Sequence, residues 1–179
     1  YFQYVSPDKQ RYYFGTNNTQ CLFTDIASLQ KGAPQWVAID SSRGYKLLNT
    51  LTITEDKFGR VWMSHSSKGW AIYYPNKKKA VSFLIADKET DFGFRSSYTD
   101  THGTVWMGSK QKGLLYFNNY SSSEVLPKDI HGITHPLLVK GKPISQLTQW
   151  QKWLVIATED KMLFTFDKTS SFSLSNPFF

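Results

Sequence analysis

The sequence predicts an all-β fold, a β-propeller built of four-stranded antiparallel blades, with about four blades present. Three observations lead there. First, one phrase recurs four times: RYYFGTNNTQCLFTD (Arg11–Asp25), RVWMSHSSKGWAIYYPN (Arg60–Asn76), TVWMGSKQKGLLYFNN (Thr104–Asn119) and WLVIATEDKMLFTFDK (Trp153–Lys168). Its equivalent positions Tyr13, Trp62, Trp106 and Val155 are spaced 49, 44 and 49 residues apart, a period typical of propeller blades. Second, each unit is a series of short apolar runs divided by turn residues. Third, the middle runs are apolar nearly throughout rather than alternating, as expected of sheets covered on both faces by neighbouring sheets.

The elements of a unit follow in order. The first strand is read at Tyr1–Ser6, Leu47–Asp56, Gly93–Asp100 and Ile144–Gln151. It runs into a tight turn, Asp56-Lys57-Phe58-Gly59 or Asp100-Thr101-His102-Gly103. Asp at the first position caps backbone N–H groups there, and Gly at the fourth tolerates positive φ. The second strand is YYFG, VWM or LVIA. After a short polar loop the third is CLF, GWAIYY, GLLYF or MLFTF. A weaker fourth strand is expected at Trp36–Ile39, Ala80–Ile85, Leu137–Val139 and Ser171–Leu174, giving approximate blades 1–40, 41–86, 87–139 and 140–179.

Aromatic residues make up 16% of the chain, which suits wedge-shaped gaps between radiating blades. Trp62 and Trp106 are therefore read as inter-blade packing residues. Cys21 falls in a third strand as a small buried hydrophobe, and one cysteine excludes an internal disulfide.

Asp100-Thr-His-Gly-Thr-Val-Trp-Met-Gly-Ser109, followed by Gly113-Leu-Leu-Tyr-Phe-Asn118, resembles the propeller repeat of two-component regulators. Asp56–Ser64 with Gly69–Asn76 is similar, with Ser64 in place of the usual Gly. The first copy keeps Gly15-Thr16 but has Tyr13 for Trp and Gln20 for the later Gly. The fourth keeps Ala157-Thr158 and Phe164–Asp167. The resemblance implies the extracytoplasmic (periplasmic) sensor region of hybrid histidine kinases of Bacteroidetes, in which propellers precede a β-sandwich, a membrane helix and the kinase. It further implies an oligosaccharide ligand, control of polysaccharide use, homodimerisation of the full-length protein, and no enzymatic role for this region. The same repeat occurs in propellers accompanying type IX secretion, so a scaffold that docks another protein is the alternative. Propellers of this family have about seven blades. The chain is accordingly expected to be a piece of a larger propeller, completed by further blades or by another copy.

Composition constrains the remainder. With 40% hydrophobic and 20% charged residues, the 179-residue chain can bury a core. It holds no run near the ~20 apolar residues of a membrane helix, so membrane attachment is expected only through flanking segments. The net charge of +7 falls largely in loops joining second to third strands and in loops joining blades, which open on one face. The candidate ligand-binding residues of that rim are Arg43, Lys46, His65, Lys68, Lys110, Lys112, Lys140 and Lys161. Ammonium groups there would collect an acidic or hydroxyl-rich ligand; as loop charge they equally serve solubility. Lys77-Lys78-Lys79 belongs to a third-to-fourth-strand turn on the opposite face.

Nucleic acid is not an expected partner, because the aromatics sit at blade-core positions and only Arg11, Arg43, Arg60 and Arg95 are arginines. No catalytic residue, metal ligand or cofactor is assigned. His131 and His135 have a helical metal-clamp spacing, but Gly132 and Pro136 break any helix. Asp87, Glu89 and Asp91 read as a solvated loop as readily as a carboxylate pair. Phosphate-loop and nucleophile motifs do not occur.

Overall fold

The computed structural model describes residues 2–65, 69–84, 93–109, 113–118, 124–133, 143–167 and 174–175. Four antiparallel sheets follow one another along the chain, each with strands in sequence order. The first holds β1 (Phe2–Val5), β2 (Arg11–Gly15), β3 (Cys21–Asp25) and β4 (Val37–Ile39). The second holds β5 (Thr50–Glu55), β6 (Val61–His65), β7 (Gly69–Tyr74) and β8 (Lys79–Leu84). In the third are β9 (Phe94–Thr99), β10 (Val105–Ser109), β11 (Leu114–Phe117) and β12 (Ile130–Ile133). The fourth is made of β13 (Ile144–Trp150), β14 (Trp153–Thr158), β15 (Leu163–Asp167) and β16 (Leu174–Ser175). The inner strands β1, β5, β9 and β13 touch in series, which is the arrangement of propeller blades around an axis. The one α-helix among the described residues, α1 (Ile26–Gln30), is a single turn between β3 and β4, capped by Asp25.

Strand register confirms the alignment of the repeats. Tyr13, Trp62, Trp106 and Val155 each pair with the residue ten further on, Phe23, Ile72, Tyr116 and Thr165. Each signature aromatic points towards the following blade. Tyr13 packs in a cluster with Ile53, Val61, Met63 and Tyr73 of the second sheet. Trp62 meets Phe94, Val105, Met107 and Phe117 of the third. Trp106 meets Ile144, Leu147, Leu154 and Phe166 of the fourth. Trp62 is 1% exposed and Trp106 4%, as the sequence predicts for inter-blade residues. Cys21 is buried in the first cluster, and burial pushes its thiol up to about 12.

The signature Asp does more than cap its turn. Asp100 Oδ1 accepts from His102 N (2.8 Å) and Thr104 N (3.0 Å), while Oδ2 accepts from Trp106 Nε1 at 2.9 Å. Asp56 repeats this with Phe58 N, Arg60 N and Trp62 Nε1 (2.8 Å), and adds an ion pair to the buried Arg60 (2.7 Å). One carboxylate thus fixes the turn and orients the indole that fills the next gap, satisfying a buried N–H. In the first blade Ser6 takes this place, with Arg11 N donating to Ser6 Oγ (2.9 Å), and Lys9 adopts the left-handed conformation (φ 56°) that Gly59 and Gly103 supply in the second and third blades.

Blades also approach closely at the signature glycine. A Cβ on Gly108 would lie 2.5 Å from Ile144 Cγ2, and one on Gly15 would lie 2.8 Å from Thr50 O. Thr50, Phe94 and Ile144 open the inner strands of successive blades at this point. Ser64, the departure from the pattern, uses its hydroxyl there: it donates to Phe94 O (2.9 Å) and bonds Thr52 Oγ1 (2.8 Å).

The structure corrects the outer strand of the third blade, which is Ile130–Ile133 rather than Leu137–Val139. A 3-10 turn, Pro127–Asp129, returns the chain at once onto β11, with Leu126 N donating to the Asp129 carboxylate (2.8 Å). Leu137–Val139 lies outside the described residues, as does most of Ser171–Leu174.

Candidate functional site

Within each blade, one end of the sheet carries the turn from second to third strand and the opposite end carries the turns from first to second and third to fourth. The candidate basic rim belongs to the former end. Lys161 lies there, exposed, in the left-handed position of the β14–β15 turn, its N–H donating to Thr158 O at 3.1 Å. Close by in sequence, Glu159 is paired with Arg95 of the third blade. Lys46 is exposed on the connection between the first two blades, with its N–H donating to Ser82 Oγ (2.9 Å).

His65 and Arg43 are placed differently from what a rim requires. His65 ends β6 paired with Thr50 and Gly69, and is only 4% exposed. Arg43 is drawn to the opposite end: its Nη1 donates to Lys78 O (3.4 Å), in the β7–β8 turn. The cause is the path of the connection, which runs beside β8. Ser82 Oγ donates to Gly44 O (3.0 Å) and accepts from Lys46 N, and Gly44 (φ 90°) sits against Ala80 O with no room for a side chain. Lys68, Lys110, Lys112 and Lys140 lie outside the described residues. Asp87, Glu89, Asp91 and His135 do too. His131 belongs to strand β12 and rests on the Tyr116 ring (5.3 Å between centroids), so the helical clamp is excluded. No group of three or more metal-ligating side chains occurs among the described residues.

At the turn end of the inner strands lies a cavity of about 570 Å³ shared by the first three blades. Its wall includes Phe2 and Tyr4 of β1, Ile53 to Glu55 of β5, Ser97 to Thr99 of β9, and the two Asp-x-x-Gly turns. Thr54 and Thr99 hydroxyls bond across the blade junction at 3.0 Å. Glu55 is 9% exposed, and its backbone N–H donates to Tyr4 Oη at 3.0 Å. Burial, reinforced by Asp8 and Asp56 and opposed by Arg11, pushes its carboxyl up to about 7. Glu55 Oε2 and Ser97 Oγ are both buried without a hydrogen-bond partner in the structure. This cavity was not read from the sequence. The available signal was a Glu at the position held by Val5 and Thr99 in neighbouring repeats.

The architecture defines the class: four-stranded antiparallel blades of a β-propeller. Among solved structures the chain is similar to the extracellular domain of BT4673 of B. thetaiotaomicron, named in one structure as a proposed one component system and in another as a proposed hybrid two component system. Both give a TM-score of 0.70 at 16% identity, over 96% of this chain and 21% of that one. It is also similar to the extracellular domain of the proposed hybrid two component system BT3049 of the same organism, with a TM-score of 0.65 at 22% identity, over 98% of this chain and 21% of that one. The chain therefore spans about a fifth of their length. No family model and no curated protein matches the sequence. Among the described residues no helix is long and apolar enough to cross a membrane.

Proposed function

We propose that these blades form part of the extracytoplasmic, ligand-sensing propeller of a hybrid two-component sensor kinase, and that the ligand is an oligosaccharide. The single observation that carries this reading is the match of nearly the whole chain to extracellular domains of proposed hybrid two component systems. Support also comes from the motif Asp100–Ser109 with Gly113–Asn118, in which Asp100, Gly103, Trp106 and Gly108 each have a structural role. The blades themselves act by binding and not by catalysis. A ligand shifts such a receptor only if it binds the signalling arrangement better than the resting one.

The binding face of this proposal is the end carrying the second-to-third-strand loops, where Lys161 stands exposed in the β14–β15 turn and where Lys46, Lys68, Lys110, Lys112 and Lys140 belong by sequence. Further blades, or a second copy of the chain, would complete the ring, with the full-length receptor acting as a homodimer. Calorimetric titration with acidic and neutral oligosaccharides, on the parent and on a Lys110→Ala/Lys112→Ala variant, tests it. Acidic glycans should bind the parent more tightly, and the double variant should weaken them by about tenfold with its melting temperature nearly unchanged, since exposed charges contribute little to stability. Equal affinity in both proteins sinks the basic rim. Absence of binding by every glycan favours a propeller that docks another protein.

A further inference from the structure

The innermost strands share an irregularity at the end that carries the second-to-third-strand loops. In β5, β9 and β13 one residue is inserted into the pairing with the second strand: Leu51 between Thr50 and Thr52, Arg95 between Phe94 and Ser96, and Ser145 between Ile144 and Gln146. Strand β1 pairs with β2 without a break. A bulge of this kind leaves its extra residue outside the ladder and re-aims the side chain, and bulges recur beside functional sites. In the third blade it brings Arg95 out to 42% side-chain exposure between two buried neighbours, Phe94 and Ser96.

Arg95 already holds a carboxylate. Its Nη1 donates to Glu159 Oε1 across the junction of the third and fourth blades. That is a single bond from a group able to grip a carboxylate bidentately, and its other donors take no partner among the described residues. Glu159 opens the β14–β15 turn, where its backbone N–H donates to Pro143 O at 2.9 Å. The rest of that turn leaves a second cation available. Asp160 accepts from Thr158 Oγ1, whereas Lys161 is exposed and its ammonium has no partner among the described residues. An exposed ion pair contributes little to stability and is exchanged at small cost.

We propose that Arg95 is the group that reads a carboxylate on the ligand, that Glu159 stands in for that carboxylate in the free protein, and that an acidic oligosaccharide displaces Glu159 to take Arg95 together with Lys161. The proposal rests on the basic-rim reading above and names its ligand class, an oligosaccharide of uronic acids. A planar guanidinium suits a uronate because its paired donors match the two carboxylate oxygens, which an ammonium cannot do. The equivalent bulge residues of the adjoining blades supply the remaining contacts: Ser145 Oγ, which donates to Ala157 O at 3.1 Å and can still accept from a sugar hydroxyl, and the half-buried Leu51, which offers apolar surface. Because the Arg95–Glu159 pair ties one blade to the next, exchanging it for a ligand alters a contact between blades. That is a differential interaction of the sort a receptor needs.

The probes are tetragalacturonate, a hyaluronan tetrasaccharide, and fully methyl-esterified tetragalacturonate, which keeps the sugar frame and loses the charge. Each is titrated calorimetrically, and melting temperatures are recorded for every variant. An acidic probe should bind the parent about tenfold more tightly than the ester. Arg95→Ala should remove about tenfold of that affinity and leave the ester unchanged, and Arg95→Lys, which keeps the charge without the fork, should recover only part of it. Glu159→Gln should bind the acidic probe about two- to fivefold more tightly than the parent, since no resident carboxylate has to be displaced. A purely structural ion pair would give no such gain. Lys31→Ala, which removes one exposed charge at the opposite end, should bind like the parent, so that net charge alone is not the cause. Acid binding that is weakened in Lys110→Ala/Lys112→Ala but kept in Arg95→Ala leaves the rim standing and overturns this proposal, as does Glu159→Gln binding no better than the parent. Failure of both acidic probes to bind either the parent or Glu159→Gln overturns this proposal and the basic rim together. If Arg95→Ala melts well below the parent, Glu159→Gln and the comparison of acid with ester decide.

Discussion

Replacing Trp106 tests the blade junction directly, because its two contributions can be separated. The indole is 4% exposed, lies 5.5 Å from the Tyr116 ring and 5.7 Å edge-on to Phe166, and donates to Asp100 Oδ2 at 2.9 Å. Trp106→Ala removes packing and hydrogen bond together. Large aromatic truncations in cores cost about 3–5 kcal/mol, and the closeness of two rings from two blades places this one near the upper half. Trp106→Phe keeps a ring in the gap but removes the N–H donor to a buried carboxylate. A hydrogen bond to a charged group contributes about 1.5–3 kcal/mol, so this variant should lose roughly half as much as the Ala variant. Urea unfolding followed by fluorescence of the remaining tryptophans measures both. For a chain of this size the Ala variant should melt about 8–16 °C lower. If Trp106→Ala unfolds like the parent, the inter-blade assignment is wrong. If Trp106→Phe is as stable as the parent, the Asp100 bond carries no weight and the signature Asp serves the turn alone.

Three further outcomes are expected. Glu55 binds its proton more tightly folded than unfolded, so stability should fall as pH rises from about 4.5 to about 7 and level off above; Glu55→Gln should flatten that decline in thermal melts across pH, and an unchanged slope would refute it. Gly108→Ala should destabilise by about 1–3 kcal/mol, because its Cβ would meet Ile144 on the next blade, whereas Ala at Ser64 costs chiefly the hydrogen bond to Phe94 O, about 1 kcal/mol. Binding of an acidic glycan should weaken steadily between 50 mM and 500 mM salt in calorimetry, as screened surface charge requires, and salt-independent affinity would contradict a rim of lysines.

The sequence-readable part of the fold is the part set by local chemistry. Asp56, Asp100 and their glycines announce turns by residue type, and the ten-residue offset between paired positions of second and third strands keeps the repeat in register. The outer strands are less legible because they face solvent on one side and carry little apolar signal; Ile130-His131-Gly132-Ile133 reads as loop until Asp129 closes the turn before it. Arg43 shows the limit at the candidate site. The sequence places its loop on the connection between the first two blades, but its destination depends on Gly44 and Ser82 lacing that connection to β8, a contact between residues 38 apart. Glu55 was hidden differently: next to Asp56 it reads as one more turn acid, and only the meeting of three strands makes its burial visible.

The direction in which each signature aromatic points has a consequence during synthesis. Tyr13, Trp62 and Trp106 are completed by the blade that comes after them, so a blade that folds as the chain emerges leaves its signature aromatic uncovered until the next blade arrives. At about 5–20 residues per second, the next 44 to 49 residues take roughly 2–10 seconds to arrive. Throughout that interval the newest blade offers an aromatic face to any chaperone, or to the same face on a neighbouring nascent chain. Slowing translation within the third unit should therefore lengthen the life of a Trp62-exposed intermediate, and speeding it should raise the yield of native protein.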